Sequence, residues 1–463
     1  MLKKIILIKL INLNLFSSFI YIIKYNLIMD KTTDVIVIGS GIIGSNISFE
    51  LNKKGYKTVN VDKLPASGYG STSNSCACIR FSYSSWEGVA MAYEGSHYWK
   101  NWNDYLEVID QRGMAEFFQT GVVFLRDKSS HFVKVKQLYD EVGVPYEIWD
   151  TEAIIKNFPI INLDSYWPVR RAEDPLFHQK SSAKIMEAIW NPDGGYINDP
   201  QLATHNLQIA SETKGGEFVF NKEVVRILKK NNKVCGIELD DGTQISSPIV
   251  VNVAGPHSKI INQMAGVLDG MNVQTQALRH EVHHVPSPKG FNFESNGKII
   301  NDGDVGCYYR PAIGNAILVG SEDPECDQRQ WIENPDDYNK DITESQWNTQ
   351  VMRLAKRFEE IGIPNKPKGV VDLYDVSDDW IPIYDRSDLD GFYMAIGTSG
   401  NQFKNASIAG AMMTELIDKS ENGYDHDENP LKFNAKYINK TLDIGFYSRR
   451  REINKNSSFS VRG

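Results

Sequence analysis

The chain alternates between two hydrophobic rhythms, and the rhythms set the expected elements. Asp34-Val35-Ile36-Val37-Ile38 is a continuous β-branched run of the kind a strand buried on both faces requires. It ends in Gly39-Ser40-Gly41-Ile42-Ile43-Gly44, and Ile47-Ser48-Phe49-Glu50-Leu51 then continues with helical spacing up to Gly55. A second run, Thr58-Val59-Asn60-Val61, predicts another buried strand. Further along, the pattern predicts helices over 87–110, 132–142, 149–158, 201–214, 346–361 and 403–417. Strands are expected at 121–126, 217–221, 223–229, 234–239, 249–256, 369–374 and 391–397, with a turn at 194–200. Lys230-Asn231-Asn232-Lys233 and Asp241-Gly242 make turns, so a small antiparallel meander is expected there. Residues 272–325 alternate apolar and polar positions and predict a larger antiparallel sheet. The stretch after Ser420 is polar and reads as a surface arm.

At 463 residues the chain exceeds one typical core, so two intertwined domains are expected. With 41% hydrophobic and 24% charged residues it has the composition of an ordinary globular protein. A net charge of -9 argues against a nucleic-acid groove. Five cysteines are too few for a disulfide scaffold and none has zinc-site spacing, so a reducing, cytoplasmic setting is the default. His283 and His284 would face opposite sides of a strand, and no metal site is expected.

Residues 1–28 depart from this composition, being rich in Ile, Leu, Asn and Lys without acid or glycine. The span Ile5 to Ile23 could cross a bilayer, but Lys9, Asn12, Asn14, Ser17 and Ser18 interrupt it, and membrane association is not expected. Met29 lies five residues before the first strand, so the extension reads as standing outside the functional fold. A targeting segment or an anchor are the alternatives.

The chemistry concentrates at the opening turn. Strand, G-x-G-x-x-G, helix, strand and then Asp62, 18 residues past Gly44, is the order of a dinucleotide-binding unit. Gly39 permits the tight turn, Gly41 lets a pyrophosphate approach the backbone, and Gly44 lets the helix pack on the sheet. The helix N-terminus offers free N–H groups and partial positive charge to phosphates, and Asp62 suits an unphosphorylated ribose diol.

Four blocks together resemble the glycine/D-amino acid oxidase family of flavoproteins, the branch holding sarcosine oxidase and the dimethylglycine dehydrogenases. They are Val35 to Gly44 with Asp62; Gly70-Ser71-Thr72 running to Ile79-Arg80; Val250 to Pro256; and Ile396-Gly397-Thr398-Ser399-Gly400-Asn401-Gln402-Phe403-Lys404. The resemblance spans about 34–417 and implies FAD rather than NAD. Contacts to FAD are implied for Gly39, Ser40, Gly41, Ile42, Ile43, Gly44, Asp62, Lys63, Ser71, Thr72, Val225, Ala254 and Gly255. They are implied as well for Gly397, Ser399, Gly400, Asn401, Gln402, Phe403 and Lys404. The Gly397 to Gly400 turn would place a helix N-terminus where a reduced flavin gathers negative charge. Arg80 and Lys404 correspond to a pair that clamps a substrate carboxylate, a planar fork beside a point charge. A structural ion pair for Arg80 and a solvated helix-start lysine for Lys404 are the plain alternatives.

Departures matter too. Covalent members attach FAD to an early-loop histidine or to a cysteine before the final strand, where this chain has Asn74-Ser75 and Asp372-Leu373-Tyr374. Noncovalent FAD is therefore expected. Leu318 aligns with the lysine that promotes reaction with oxygen in oxidase members, which tips the reading toward a dehydrogenase. Cys307 reads as a packed thiol.

The combined expectation is an α/β fold, α+β overall. A Rossmann-like parallel-sheet FAD domain comes from 29–110, 172–262 and 370–420, and an interleaved antiparallel-sheet substrate domain from 111–171 and 263–369. Residues 421–463 form a C-terminal arm. The activity implied is oxidation of the C–N bond of a small amino or N-methylamino acid, with a hydride equivalent passing to flavin. Oxygen or a protein or quinone carrier would then accept the electrons. Tyr308 and Tyr309 are candidates to line the pocket, or else core aromatics. A 2-hydroxy acid dehydrogenase of the same fold, a non-catalytic flavin-binding assembly protein and an NAD enzyme are the competing readings.

Overall fold

In the computed structural model, which describes residues 31–463, two sheets are set around one cavity. The 1–28 extension and Met29 lie outside the described residues. The first sheet has six strands in the order 217–219, 58–61, 35–38, 249–252, 392–396, 383–386. All are parallel except Ile383–Arg386, which pairs antiparallel at the edge. Its central strands are buried on both faces because helices Ile42–Lys53, Pro200–Thr213 and Ala406–Glu421 cover one side. The antiparallel meander of 224–230, 233–239 and 244–246 joins the other side through Ile227, Ile237 and Ile245.

The second sheet has nine strands in a largely antiparallel arrangement. Its long strand Thr275–Pro286 pairs with Ala316–Ser321, with Gln330–Ile332 and, along nine registered positions, with Gly369–Ser377. One face buries Val319, Tyr309, Ile300 and Val123 under helix Glu344–Ala355. The strand Gly369–Ser377 then leaves this sheet and meets the first one through a bridge from Val376 to Thr398. That crossing brings the two sheets together at the cavity.

Several elements differ from expectation. The helix foreseen over 87–110 is two, Trp86–Lys100 and Trp102–Leu106, broken at Asn101. Trp149 belongs to the strand Glu147–Asp150, and helix begins only at Thr151, where the Asp150 carboxylate caps Ala153 N–H at 2.8 Å. Three of the seven residues of the turn at 194–200 form a short strand, Gly195–Ile197, held between Cys78–Ile79 and Phe117–Phe118. Strands Glu187–Asn191 and Gly369–Ser377 pair in the nine-stranded sheet, although both fell in the expected FAD-domain segments. Apolar alternation shows that a segment is a strand but not which sheet receives it.

The expected surface arm after Ser420 is also corrected. Its hairpin, Lys432–Ala435 with Lys440–Asp443, packs Phe433 and Leu442 into the main core. Arg449 is fully buried, bonded to Asp385 and Asp427. Polar composition misled because these residues are paired in ion networks rather than solvated.

Candidate functional site

The opening turn has little freedom. Gly39 adopts φ +108°, and a Cβ there would lie 2.4 Å from the Val253 carbonyl oxygen. A Cβ on Gly44 would lie 2.2 Å from the Gly39 carbonyl oxygen, so helix and strand approach only without side chains. Gly41 caps the helix with no side-chain hydrogen bond of its own, leaving the Ile43 and Gly44 N–H groups open toward the cavity. Thr72 Oγ1 accepts from Ile42 N–H at 3.2 Å, while Ser71 Oγ donates to the Leu373 carbonyl at 2.8 Å.

Asp62 lines the cavity at the end of the second strand. Its Oδ2 accepts Ser40 N–H at 2.7 Å and its Oδ1 accepts Leu64 N–H at 2.9 Å, so each oxygen keeps one further lone pair. Burial raises its carboxyl above the usual range against those two bonds. Lys63 turns to Asp336 and lies 2.9 Å from His257 Nε2.

The late turn closes the same space. Gly397 and Gly400 take φ +68° and +67°, and a Cβ on Gly400 would sit 2.3 Å from the Tyr374 ring. Gly397 N–H donates to Asp375 Oδ2 at 2.6 Å, and Ser399 N–H donates to the Asp375 carbonyl at 2.7 Å. Asp375 is buried, and desolvation lifts its carboxyl to about 7 despite the Gly397 bond and the nearby hydroxyls of Ser258 and Thr275. Neither Gln402 nor Asn405, the residues preceding the two helical starts here, supplies a side-chain cap.

These two turns share a cavity of about 480 Å³. Gly39, Gly41, Ile42, Ile43, Gly44, Asp62, Lys63, Ser71, Thr72, Ala254 and Gly255 line it, as do Gly400, Asn401, Gln402, Phe403, Lys404, Arg80 and Tyr308. Ser40, Gly397 and Ser399 stand behind this lining and act through backbone bonds.

Three expectations are corrected. Val225 points outward at 44% exposure, and its neighbour Val224 lines the cavity, since strand alternation puts adjacent side chains on opposite faces. The same alternation sends Tyr309 away from Tyr308, into the core beside Phe358 and Phe293. Leu318 pairs with Arg310 and His284 on the nine-stranded sheet and is not part of the lining, so the dehydrogenase preference loses its support. Cys307 is a fully buried core thiol.

Arg80 and Lys404 are the buried cations of the wall, at 7% and 3% exposure. Tyr83 links them: the guanidinium lies 4.9 Å and the ammonium 5.2 Å from its ring centre. Lys404 Nζ donates to the Tyr83 hydroxyl at 2.9 Å and to the Asn401 carbonyl at 2.7 Å. Arg80 donates to the carbonyls of Ser82 and Val461. Among the described residues no carboxylate pairs with either cation, an arrangement with no anion where one would be stabilised. Burial, then repulsion from Arg80, pushes the Lys404 ammonium well below the ordinary lysine range.

The donor set fits FAD: a glycine-lined helix N-terminus with open Ile43 and Gly44 N–H groups suits a pyrophosphate, and the uncapped late turn suits a ring edge that gains negative charge. Sequence reading missed Tyr83, Asp375, Tyr374 and Val461. Tyr374 stacks on His280 with centroids 4.1 Å apart, and the Tyr308 hydroxyl lies 3.5 Å from the Cys76 thiol. Nothing in the local pattern marked them, because their approach depends on the crossing of the two sheets.

Comparison with known proteins adds independent findings. The sequence profile of the family described as FAD dependent oxidoreductase matches residues 34–416. FAD-dependent oxidoreductase domain-containing protein 1 of Xenopus laevis is 22% identical over 423 residues, covering 84% of this chain and 79% of its own. N-methyl-L-tryptophan oxidase of Yersinia pestis is 25% identical over 386 residues, covering 81% and 92%. Among solved structures, L-proline dehydrogenase of P. horikoshii superposes with a TM-score of 0.71 at 21% identity, covering 91% of this chain and 98% of its own. Glycine oxidase of Geobacillus kaustophilus gives 0.68 at 16% identity, covering 92% and 100%.

Proposed function

The chain belongs to the FAD dependent oxidoreductase family, and from that premise we propose that it oxidises the C–N bond of a small amino or N-methylamino acid. The observation that carries this reading is the Arg80–Lys404 pair, two buried cations on one cavity wall without a carboxylate partner among the described residues. A substrate carboxylate supplies the missing charge. Arg80 offers a planar fork and Lys404 a point donor, which together fix a small carboxylate in position and orientation.

Bound FAD supplies the two-electron acceptor for the hydride equivalent leaving the carbon beside nitrogen. Fixing the carboxylate sets where that carbon lies, and positioning of this kind accounts for a large share of such accelerations. The cations also disfavour an ammonium group nearby, so the substrate amine is held in its neutral form. Tyr308 closes the wall from the nine-stranded sheet, and Tyr374 supports it by stacking on His280.

Gly39 to Gly44, Asp62, Thr72, Ala254 and Gly255 would hold the dinucleotide end of FAD, and Gly400 to Lys404 the ring. We assign this FAD as noncovalent, because the wall carries Asn74 and Asp372, hydrogen-bonded to each other at 2.6 Å, at the positions where covalent relatives are linked. Acid precipitation should release the yellow colour into the supernatant; colour left on the protein would point instead to Cys76 or Cys78, which also line the cavity.

The reaction is tested by mixing the purified yellow protein anaerobically with sarcosine, dimethylglycine, glycine, D-amino acids and 2-hydroxy acids. Bleaching by the amines is the expected result. Bleaching by 2-hydroxy acids alone would replace the C–N assignment with alcohol oxidation.

A further inference from the structure

Residues 333–341 connect strand Gln330–Ile332 to the turn before helix Glu344–Ala355, and Pro335, Asp336, Tyr338 and Lys340 line the cavity on the way. Both ends of this span are rooted on the long strand Thr275–Pro286. At its start, Gln330 to Ile332 pair with Ala277 to Arg279, and Gln276 Nε2 donates to Glu333 at 3.1 Å. At its finish, the buried Arg279 donates to the carbonyls of Asn339 and Asp341 at 2.7 and 2.6 Å. Just beyond, the buried Glu281 accepts the Thr343 hydroxyl at 2.8 Å and its N–H at 3.1 Å. Charged hydrogen bonds of this kind keep the second root stiff.

The tip between the roots is held differently. Asp336 pairs with Lys63, and its Oδ1 lies 3.0 Å from His257 Nε2. Lys63 comes two residues after strand Thr58–Val61 and His257 five after Ile249–Asn252, both strands of the six-stranded sheet. The tip therefore reaches from one sheet to the other, beside Asp62. Because the Asp336 side chain is 54% exposed, water and salt screen this contact, and it is the weak point of the span.

We propose that residues 333–341 form a strap over the dinucleotide end of FAD, latched by Asp336 onto Lys63 and His257, whose opening gates passage of the cofactor into and out of the cavity. This rests on the placement of that end of FAD at Asp62 and the opening turn. Opening separates Asp336 from two partners and leaves the strand pairing of both sheets in place, so it needs no wider unfolding.

The test follows FAD itself and needs no turnover. Uptake of FAD by the full chain stripped of flavin is read from quenching of FAD fluorescence. Release is read from exchange of bound FAD against excess of a chlorinated FAD analogue of different colour. Asp336→Asn should speed uptake and release alike by roughly three- to tenfold, the scale of a weak ion-pair network, with little change in equilibrium affinity. Molar salt should bring wild type toward the variant. Faster release with unchanged uptake would make Asp336 a plain FAD contact, and slower release would mean that it withholds Lys63 from the cofactor; either result, or unchanged rates, overturns the strap. Asp62→Ala separates the two ideas, since it should speed release without speeding uptake. If Asp62→Ala leaves both rates as in wild type, the placement of the dinucleotide fails and this inference falls with it. A changed release rate in Asp62→Ala with unmoved rates in Asp336→Asn defeats the strap alone.

Discussion

Lys404 Nζ lies 2.9 Å from the Tyr83 hydroxyl, inside a wall where both groups are buried and Arg80 is the nearest other charge. The pair shapes the pH behaviour of the site. Desolvation pushes the ammonium well down and pushes the Tyr83 phenol up to about 12, so the phenol holds its proton while the lysine gives up its own more readily than an exposed lysine does.

A carboxylate ligand beside Lys404 restores the charged form, so binding should take up a proton wherever the free lysine is neutral. Affinity should then fall as pH rises through the lysine's value in the complex. Calorimetry of acetate binding in two buffers of different ionisation heat measures the uptake directly. Lys404→Met should abolish it and weaken acetate by roughly 10- to 100-fold, about 1.5–3 kcal/mol for a hydrogen bond to a charged group. Proton uptake that persists in Lys404→Met would place the titrating group elsewhere.

Asp375 governs stability rather than ligand charge. Its folded value is raised to about 7 from an unfolded 3.8, and no charged group offsets the burial. The folded state therefore binds this proton more tightly than the unfolded chain. Its contribution is complete below the unfolded value and is lost as pH rises through about 4 to 7, a total of roughly a few kcal/mol. Asp375→Asn should flatten that part of the melting-temperature profile and raise the melting temperature at pH 8. A wild-type profile that rises steadily between pH 5 and 8 while Asp375→Asn follows it unchanged would refute this.

The two tyrosines of 308–309 offer a paired control, since they share a strand and point to opposite faces. Tyr308→Phe should alter the flavin absorption spectrum and the affinity for carboxylates, because its hydroxyl faces the cavity beside Cys76. Tyr309→Phe should leave the spectrum as in wild type and change stability by no more than about 1.5 kcal/mol, the scale of a single hydrogen bond. Equal spectral effects from both would mean that the strand register is shifted by one residue.

How much of this could be read from the chain alone follows from the range of each interaction. The Gly39–Gly44 turn and Asp62 were legible because strand, glycines, helix and acid lie within 30 residues and each position has a local steric or electrostatic reason. Arg80 and Lys404 were legible only through resemblance to a family, since either residue type alone is an ordinary surface cation. Tyr83 was not, because it becomes a platform only when Lys404, 321 residues later, reaches its hydroxyl. Val225 and Tyr309 were each misplaced by one residue, which period-2 alternation turns into the opposite face. The tail failed for another reason: Arg449, Arg451 and Arg462 look like solvated charge in composition, and only the fold shows Asp385, Asp379 and Glu322 waiting for them.

The opening turn gives the most direct test of whether local geometry controls the cofactor. Gly44→Ala puts a methyl group 2.2 Å from the Gly39 carbonyl oxygen, a backbone atom that cannot yield without moving the strand end. Overpacking of this kind costs roughly 1–3 kcal/mol or more. The shift would also tilt the helix N-terminus whose free N–H groups face the cavity. Gly55→Ala is the comparison: unlike the helical Gly44, Gly55 sits at positive φ, +100°, but nothing lies within 4 Å of its added Cβ. Gly44→Ala should purify with little or no flavin and a lowered melting temperature, whereas Gly55→Ala should lose some stability from backbone strain and keep a full complement of FAD. Equal flavin content in the two variants would show that the glycine turn does not hold the cofactor.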